Sequence, residues 1–305
     1  MAVKQLTDRD RLLLRYLAKC DVLSNEQVGQ VYGTKEYHYQ RLKELDRRKL
    51  VRHSGSYNEI TQLGMNEAGS ALKPIKLREW QREHKISVAQ ICIELEACHE
   101  RSKWKYMSSR EIKQERHMNM SSQIDGCLIS PVKEYALYLL DKRPSKSNLR
   151  LLKSELANLH RAGILNAIVF YPTDTAAASF SELVPEISMA ELLFLRYPGE
   201  INLLNQIDVV KQKIAGALKG YTPSARPFAD FEKNGTYVSV LVINDLMKKK
   251  RLSDYIKYIK DKEQREIIVL GLEEQAESLS AQFPGAKQIL KIQKFWECDK
   301  NAANL

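Results

Sequence analysis

The first seventy residues hold three short helix-type segments and then two extended pieces across a glycine turn, an order that few small folds accept. Leu6 to Ala18 carries Leu12, Leu13, Leu14, Tyr16 and Leu17, and Ser24 to Tyr32 carries Val28 and Val31 on one side. Lys35 to Leu50 places Tyr39, Leu42, Leu45 and Leu50 at helical spacing, so each segment has an apolar stripe to bury. Val51 to His53 and Tyr57 to Thr61 flank Ser54-Gly55-Ser56, the pattern of two strands joined by a tight turn.

The ends of these segments are chemically marked. Thr7 stands before Asp8 and Asp10, so it can cap the first helix and put acids near its positive end. Ser24 with Gln27 fits a capping box, Gly33 can supply the left-handed residue that stops the second helix, and Thr34 can cap the third. Three helices and a hairpin bounded this way read as a winged helix-turn-helix, which presents its third helix to the DNA major groove. The outward residues of that helix include Lys35, Tyr37, His38, Gln40, Arg41, Lys43, Arg47 and Arg48, and Arg52 and His53 lie on the wing. Gln and Arg suit base edges, while Lys and Arg suit phosphates, so these ten residues are the expected contacts to double-stranded DNA. The competing reading is a winged helix used for protein contact, with a solvated charged face.

With 305 residues the chain exceeds one such module, and its 44% hydrophobic content is ordinary for a protein that buries a full core. The formal charge of +10, half of it within residues 1–80, favours a polyanionic partner. Cys20, Cys92, Cys98, Cys127 and Cys298 form no Cys-x-x-Cys pair, which argues against a zinc site or a disulfide framework. No apolar leader segment and no membrane-length run is evident, so the expectation is a cytoplasmic protein with no membrane partner.

Three regions follow: residues 1–70 as the winged helix-turn-helix, 71–83 around Pro74 as a linker, and 84–300 as a larger α/β domain. In the last, Val88, Ile91, Cys92 and Leu95 mark a helix, and Ile124 to Ile129 and Glu134 to Leu140 mark strands across Ser130-Pro131. Helix Ser147 to Ala162, strand Ile164 to Tyr171, helix Ile201 to Leu218 and strand Tyr237 to Ile243 continue the alternation. Helix Leu246 to Lys262, strand Glu266 to Leu270, helix Glu273 to Gln282 and strand Gln288 to Ile292 complete it. The fold class is therefore α+β or α/β, with a mixed or mainly parallel sheet in the larger domain.

Gly-x-x-x-x-Gly-Lys and Gly-x-Gly-x-x-Gly are both absent, which excludes a P-loop and a Rossmann fingerprint, and no cofactor is expected. Asp125, Asp141 and a cation two residues beyond follow the layout of a metal nuclease, with Glu94 or Glu96 as a third carboxylate. The cation is Arg143, which does not surrender a proton, so no catalytic or metal-ligating residue is assigned. Three basic clusters, Lys142-Arg143-Lys146-Arg150, Arg110-Lys113-Arg116-His117 and Lys248 to Arg251, are either phosphate tracks or solvated faces. Trp80, Trp104 and Trp296 are expected to be packing residues.

Several pieces resemble the replication-relaxation family of plasmid-encoded proteins from Gram-positive bacteria. They are Thr7-Asp8-Arg9-Asp10 through Arg41-Leu42-Lys43-Glu44-Leu45, the wing strand Tyr57 to Gly64, Arg82-Glu83-His84-Lys85-Ile86, Ile124-Asp125-Gly126, and Tyr135 to Asp141. The resemblance covers roughly residues 5 to 170. It implies a winged helix joined to a degenerate restriction-endonuclease-like fold, in a plasmid or mobile-element protein of replication, mobilisation or their regulation. The acid that the family carries inside its second strand is replaced by Leu139, so the resemblance implies DNA binding without nicking. The expected partners are duplex DNA, a second copy of the chain as a homodimer, and plasmid replication or transfer proteins. The alternatives are a metal-dependent nickase using Asp125 and Asp141, and a transcriptional regulator whose α/β domain senses a ligand.

Overall fold

Thr7 and Ser24 each close a capping box, and these two boxes set the first two helices of the chain. The computed structural model describes residues 5–33, 37–96 and 104–293. Helix α1 (Asp8–Cys20) leads into strand β1 (Val22–Ser24) and helix α2 (Asn25–Tyr32), which stops at Gly33 in the left-handed region with φ +64°. Helix α3 (Tyr37–Arg47) precedes strands β2 (Val51–Ser54) and β3 (Tyr57–Ile60). The expected cap Thr34 and the expected contact Lys35 lie outside the described residues.

Strand β3 pairs antiparallel with β2 on one side and with β1 on the other. Ser54 faces Tyr57 across a two-residue turn in which Gly55 takes φ +59°, a conformation that L side chains resist. Strand β1 was absent from the sequence reading, because three residues give no periodicity to detect. Helix α4 (Gln62–Glu67) follows, capped by Thr61. Its Gly64 fits tightly: an added Cβ would lie 2.1 Å from the Leu50 carbonyl oxygen.

The described chain divides into two compact units, residues 1–120 with 125–131, and residues 121–124 with 132–305. Residues 71–83, expected as a linker, fall inside the first unit. Leu77 is buried there, Arg82 Nε bonds Glu59 at 2.8 Å, and the Arg82 guanidinium lies 4.6 Å over the Tyr57 ring. Helix α5 (Glu79–Glu96) buries Val88, Ala89, Ile91, Cys92, Ile93 and Leu95. It is held by Gln27, which donates to the Ile86 carbonyl at 2.7 Å, and by Lys85, 2.7 Å from the buried Asp21. Trp80 at its start is 64% exposed, against the expectation of a packing role. Strand β4 (Lys105–Ser108), helix α6 (Ser109–Glu115) and strand β5 (Gly126–Ile129) complete this unit, with β4 and β5 antiparallel.

The second unit contains β6 (Glu134–Leu139), α7 (Lys146–Asn158), β7 (Asn166–Tyr171), α8 (Asp174–Ser181) and β8 (Glu191–Arg196), with β6, β7 and β8 parallel in that order. The nearly unbroken apolar runs of β7 and β8 follow from cover on both faces. After α9 (Ile201–Ala217) come β9 (Thr222–Pro223), β10 (Phe231–Lys233), β11 (Thr236–Val240), α10 (Leu246–Tyr258), α11 (Lys260–Glu263), β12 (Glu266–Leu272), α12 (Ala276–Gln282) and β13 (Gln288–Ile292). These strands form a sheet of their own in the order β13-β12-β11-β10-β9, antiparallel at one end and parallel at the other. The single sheet expected for the larger domain is thus replaced by separate sheets, and the molecule is mixed α and β throughout. Phe228, Tyr237 and Tyr255 fill the core of the second sheet, with Phe228 stacked on Tyr255 at 4.3 Å. Among the described residues no helix is long and apolar enough to cross a membrane.

Candidate nucleic-acid interface

Helix α3 has two polar faces with different fates. His38, Arg41, Leu42 and Leu45 are all buried, and their spacing of three, one and three places them on a single stripe. Gln40, Lys43 and Arg47 are exposed and share another face, again at helical spacing. Two of the expected DNA contacts, His38 and Arg41, are therefore corrected to interior residues. Tyr39, expected to be apolar filling, is instead 48% exposed and lies against the His38 ring, with centroids 4.1 Å apart.

Arg41 is interior because an acid waits for it. Asp10, fully buried in α1, accepts hydrogen bonds from Arg41 Nε at 3.2 Å and from Arg41 Nη2, from the Tyr32 hydroxyl at 2.5 Å and from the Thr7 backbone N–H at 2.7 Å. Burial by itself would raise the Asp10 carboxyl, but the Arg41, Tyr32 and Thr7 hydrogen bonds outweigh it and hold the group below its ordinary value. The Tyr32 hydroxyl is pushed up, by burial first and by the Asp10 carboxylate second. One capping acid thus ties α1, α2 and α3 together. His38 occupies the space above Gly29 of α2, where an added Cβ would lie 3.3 Å from the imidazole.

The hairpin of β2 and β3 is fastened to the same helices. The Asp46 carboxylate of α3 accepts the His53 backbone N–H at 3.2 Å. His53 Nδ1 lies 2.9 Å from Asn58 Oδ1, and the buried Asn58 donates to Asn25 Oδ1 at 2.9 Å. Asn25, at the start of α2, donates in turn to the Gly55 carbonyl oxygen at 2.9 Å. The relative position of the exposed α3 face and the hairpin tip is therefore fixed by side chains as well as by chain connection. Asp46, Asn25 and Asn58 were missed by sequence reasoning, because the β2–β3 register that joins them is a tertiary fact.

Of the ten expected contacts, Gln40, Lys43, Arg47, Arg52 and His53 are exposed and Arg48 is half-buried. Lys35 is outside the described residues, and Tyr37 opens α3. Arg47 pairs with Glu44 at 2.9 Å on the helix surface, and Arg52 lies 3.9 Å from Glu59. The arginine of each pair is exposed, so solvent screens the attraction and a phosphate can displace the carboxylate.

The other basic clusters divide. Arg110 is engaged by Asp21 and donates to the Lys73 carbonyl, and the buried Lys113 donates to the Met120 carbonyl at 3.3 Å. Lys248 bonds Asp230, Lys250 the Ile187 carbonyl at 3.3 Å, and Arg251 the Ala190 carbonyl at 2.8 Å, so these three side chains have contacts within their own unit, that of Lys248 being to a carboxylate. Lys142, Arg143, Lys146 and Arg150 are exposed. Asp125 lies 2.7 Å from His84 Nε2, and Asp141 is exposed. Among the described residues no cluster of three or more His, Cys, Asp or Glu side chains is placed to hold a metal ion. Cys20, Cys92 and Cys127 are buried, whereas Cys98 and Cys298 lie outside the described residues, as does Trp296. Comparison with protein-family models, with curated proteins and with solved structures finds no match for this chain.

Proposed function

We propose that residues 5–67 are a winged helix-turn-helix that binds duplex DNA, with α3 in the major groove and the β2–β3 hairpin as the wing. The observation that carries this reading is the exposed row Gln40, Lys43 and Arg47 on α3, held in register with Arg52 and His53 through the Asp46 contact to the hairpin. Gln40 and Arg47 are the residues suited to base edges, and Lys43 and Arg52 to phosphates. The chain acts without catalysis of its own at a plasmid origin or transfer region, as the resemblance to replication-relaxation proteins implies. A homodimer would present paired half-sites.

The test is binding of the full chain to its plasmid's origin fragment across a salt series. Lys43→Ala and Arg52→Ala are each expected to weaken binding and to flatten the slope of log affinity against log salt by about 0.9, one phosphate contact apiece. Arg47→Ala is expected to relax sequence preference more than it changes that slope. Unchanged affinity in all three variants would overturn the assignment of this face. Binding that ignores origin sequence while keeping the salt slope would overturn the site-specific part alone.

A further inference from the structure

We propose that the second unit binds a small organic anion with an apolar body, in the cavity bounded by β8, α9 and the segment from β11 into α10. The cavity measures about 320 Å³. Well-packed interiors hold few voids larger than a water molecule, and sites for small ligands begin at roughly 300 Å³. Its apolar lining comes from Leu193 of β8, Leu203, Ile207 and Val210 of α9, and Val240 and Val242 from β11 and just beyond.

The charged groups that line it define the ligand. Among the described residues five cations and three carboxylates line the cavity. Each carboxylate is already answered from within the chain. Glu191 accepts from Lys133 Nζ at 2.6 Å and from the Tyr135 hydroxyl at 2.7 Å, and Asp230 accepts from Lys248 and from the Val240 backbone N–H at 2.6 Å. Asp245, the cap of α10, accepts from the backbone N–H groups of Leu192, Met247 and Lys248 at 3.3, 3.0 and 3.2 Å. Arg226 pairs with Glu263 at 2.9 Å. Among the described residues two cations remain without a carboxylate. Arg251 donates only to the Met189 and Ala190 carbonyl oxygens, and Lys211 is exposed at the mouth, with no hydrogen bond or ion pair among the described residues. An apolar body in the cavity with a carboxylate or sulfonate at Lys211 and Arg251 satisfies both features. Among the described residues a cationic ligand meets no unanswered acid.

The test uses the full chain with 8-anilinonaphthalene-1-sulfonate as fluorescent probe, octanoate as competitor and octyltrimethylammonium as the cationic control. The expected result is saturable, single-site binding of the probe that octanoate displaces and the cation does not. Ile207→Trp, which fills the wall, is expected to weaken both anions at least tenfold with an unchanged circular dichroism spectrum and thermal midpoint. Lys211→Glu, an exposed change that leaves the fold intact, is expected to weaken octanoate about tenfold. Failure of octanoate to displace the probe, or displacement by the cation as readily as by octanoate, would overturn the proposal. So would wild-type probe binding by a folded Ile207→Trp variant. Should Ile207→Trp fail to fold, unchanged octanoate affinity in Lys211→Glu overturns it alone.

Discussion

Replacing Arg41 with methionine separates an interior role from a DNA-contact role. The Arg41 side chain is 6% exposed and Asp10 is fully buried, so the change removes two charge-assisted hydrogen bonds from a carboxylate that water does not reach. Tyr32 and Thr7 remain as donors, but among the described residues no cation does. Breaking a buried pair in this way costs about 3–5 kcal/mol, because the surviving charge is left uncompensated. For a unit of this size that corresponds to a fall in thermal midpoint on the order of 10 °C or more. The pH dependence has a defined sign. In the wild type the Asp10 carboxyl is held low, so its contribution is complete above the unfolded value near ~3.9 and fades as pH falls through the folded value. Without Arg41 burial dominates, the folded value rises, and protonation relieves the variant as the pH drops. The gap between wild type and Arg41→Met is therefore expected to be widest at neutral pH and to narrow toward acid. Asp10→Asn combined with Arg41→Met should recover much of the loss, because the pair is then removed and not broken. Thermal melts of the three proteins at several pH values read all of this. A variant that melts as the wild type does, yet loses DNA affinity, would refute the interior assignment and return Arg41 to the groove.

Three further outcomes follow from the geometry. Gly64→Ala places a Cβ against the Leu50 carbonyl and Ile60, backbone included, and is expected to destabilise the first unit by about 1–3 kcal/mol in denaturant titration; a midpoint within error of wild type would contradict the close packing of α4. Asp46→Ala removes the acceptor for the His53 backbone N–H. It should cost about 1 kcal/mol in stability while lowering DNA affinity more than that loss explains, as measured at a temperature where the variant is fully folded; unaltered affinity would show that the hairpin needs no anchor. Asp245→Asn keeps an N-cap for α10 while removing a carboxyl whose value is raised, chiefly by burial. A raised value means that ionisation opposes folding as pH increases, so Asp245→Asn should be neutral or stabilising at pH 7, whereas Asp245→Ala should lose about 1 kcal/mol of capping; equal losses in the two variants would argue against both points.

Local chemistry was legible from the chain alone wherever one residue acts on its near neighbours. Thr7, Ser24 and Gly33 end their helices through contacts within four residues, and Gly55 turns the hairpin through its own backbone freedom. The row Gln40, Lys43 and Arg47 could be written down from helical spacing. Which of two polar faces on α3 turns inward could not be. That choice was made by Asp10, 31 positions away, because a buried carboxylate requires a cation and Arg41 is the one the packing of α1 on α3 brings within reach. Likewise Lys248 to Arg251 reads as an exposed basic run until the fold supplies Asp230 and the carbonyls that claim it. The sequence by itself therefore determined the segments, their caps and the excess of positive charge. Only the tertiary structure decided which charges are spent on holding the protein together and which are left for a partner, since burial and pairing depend on residues far apart along the chain.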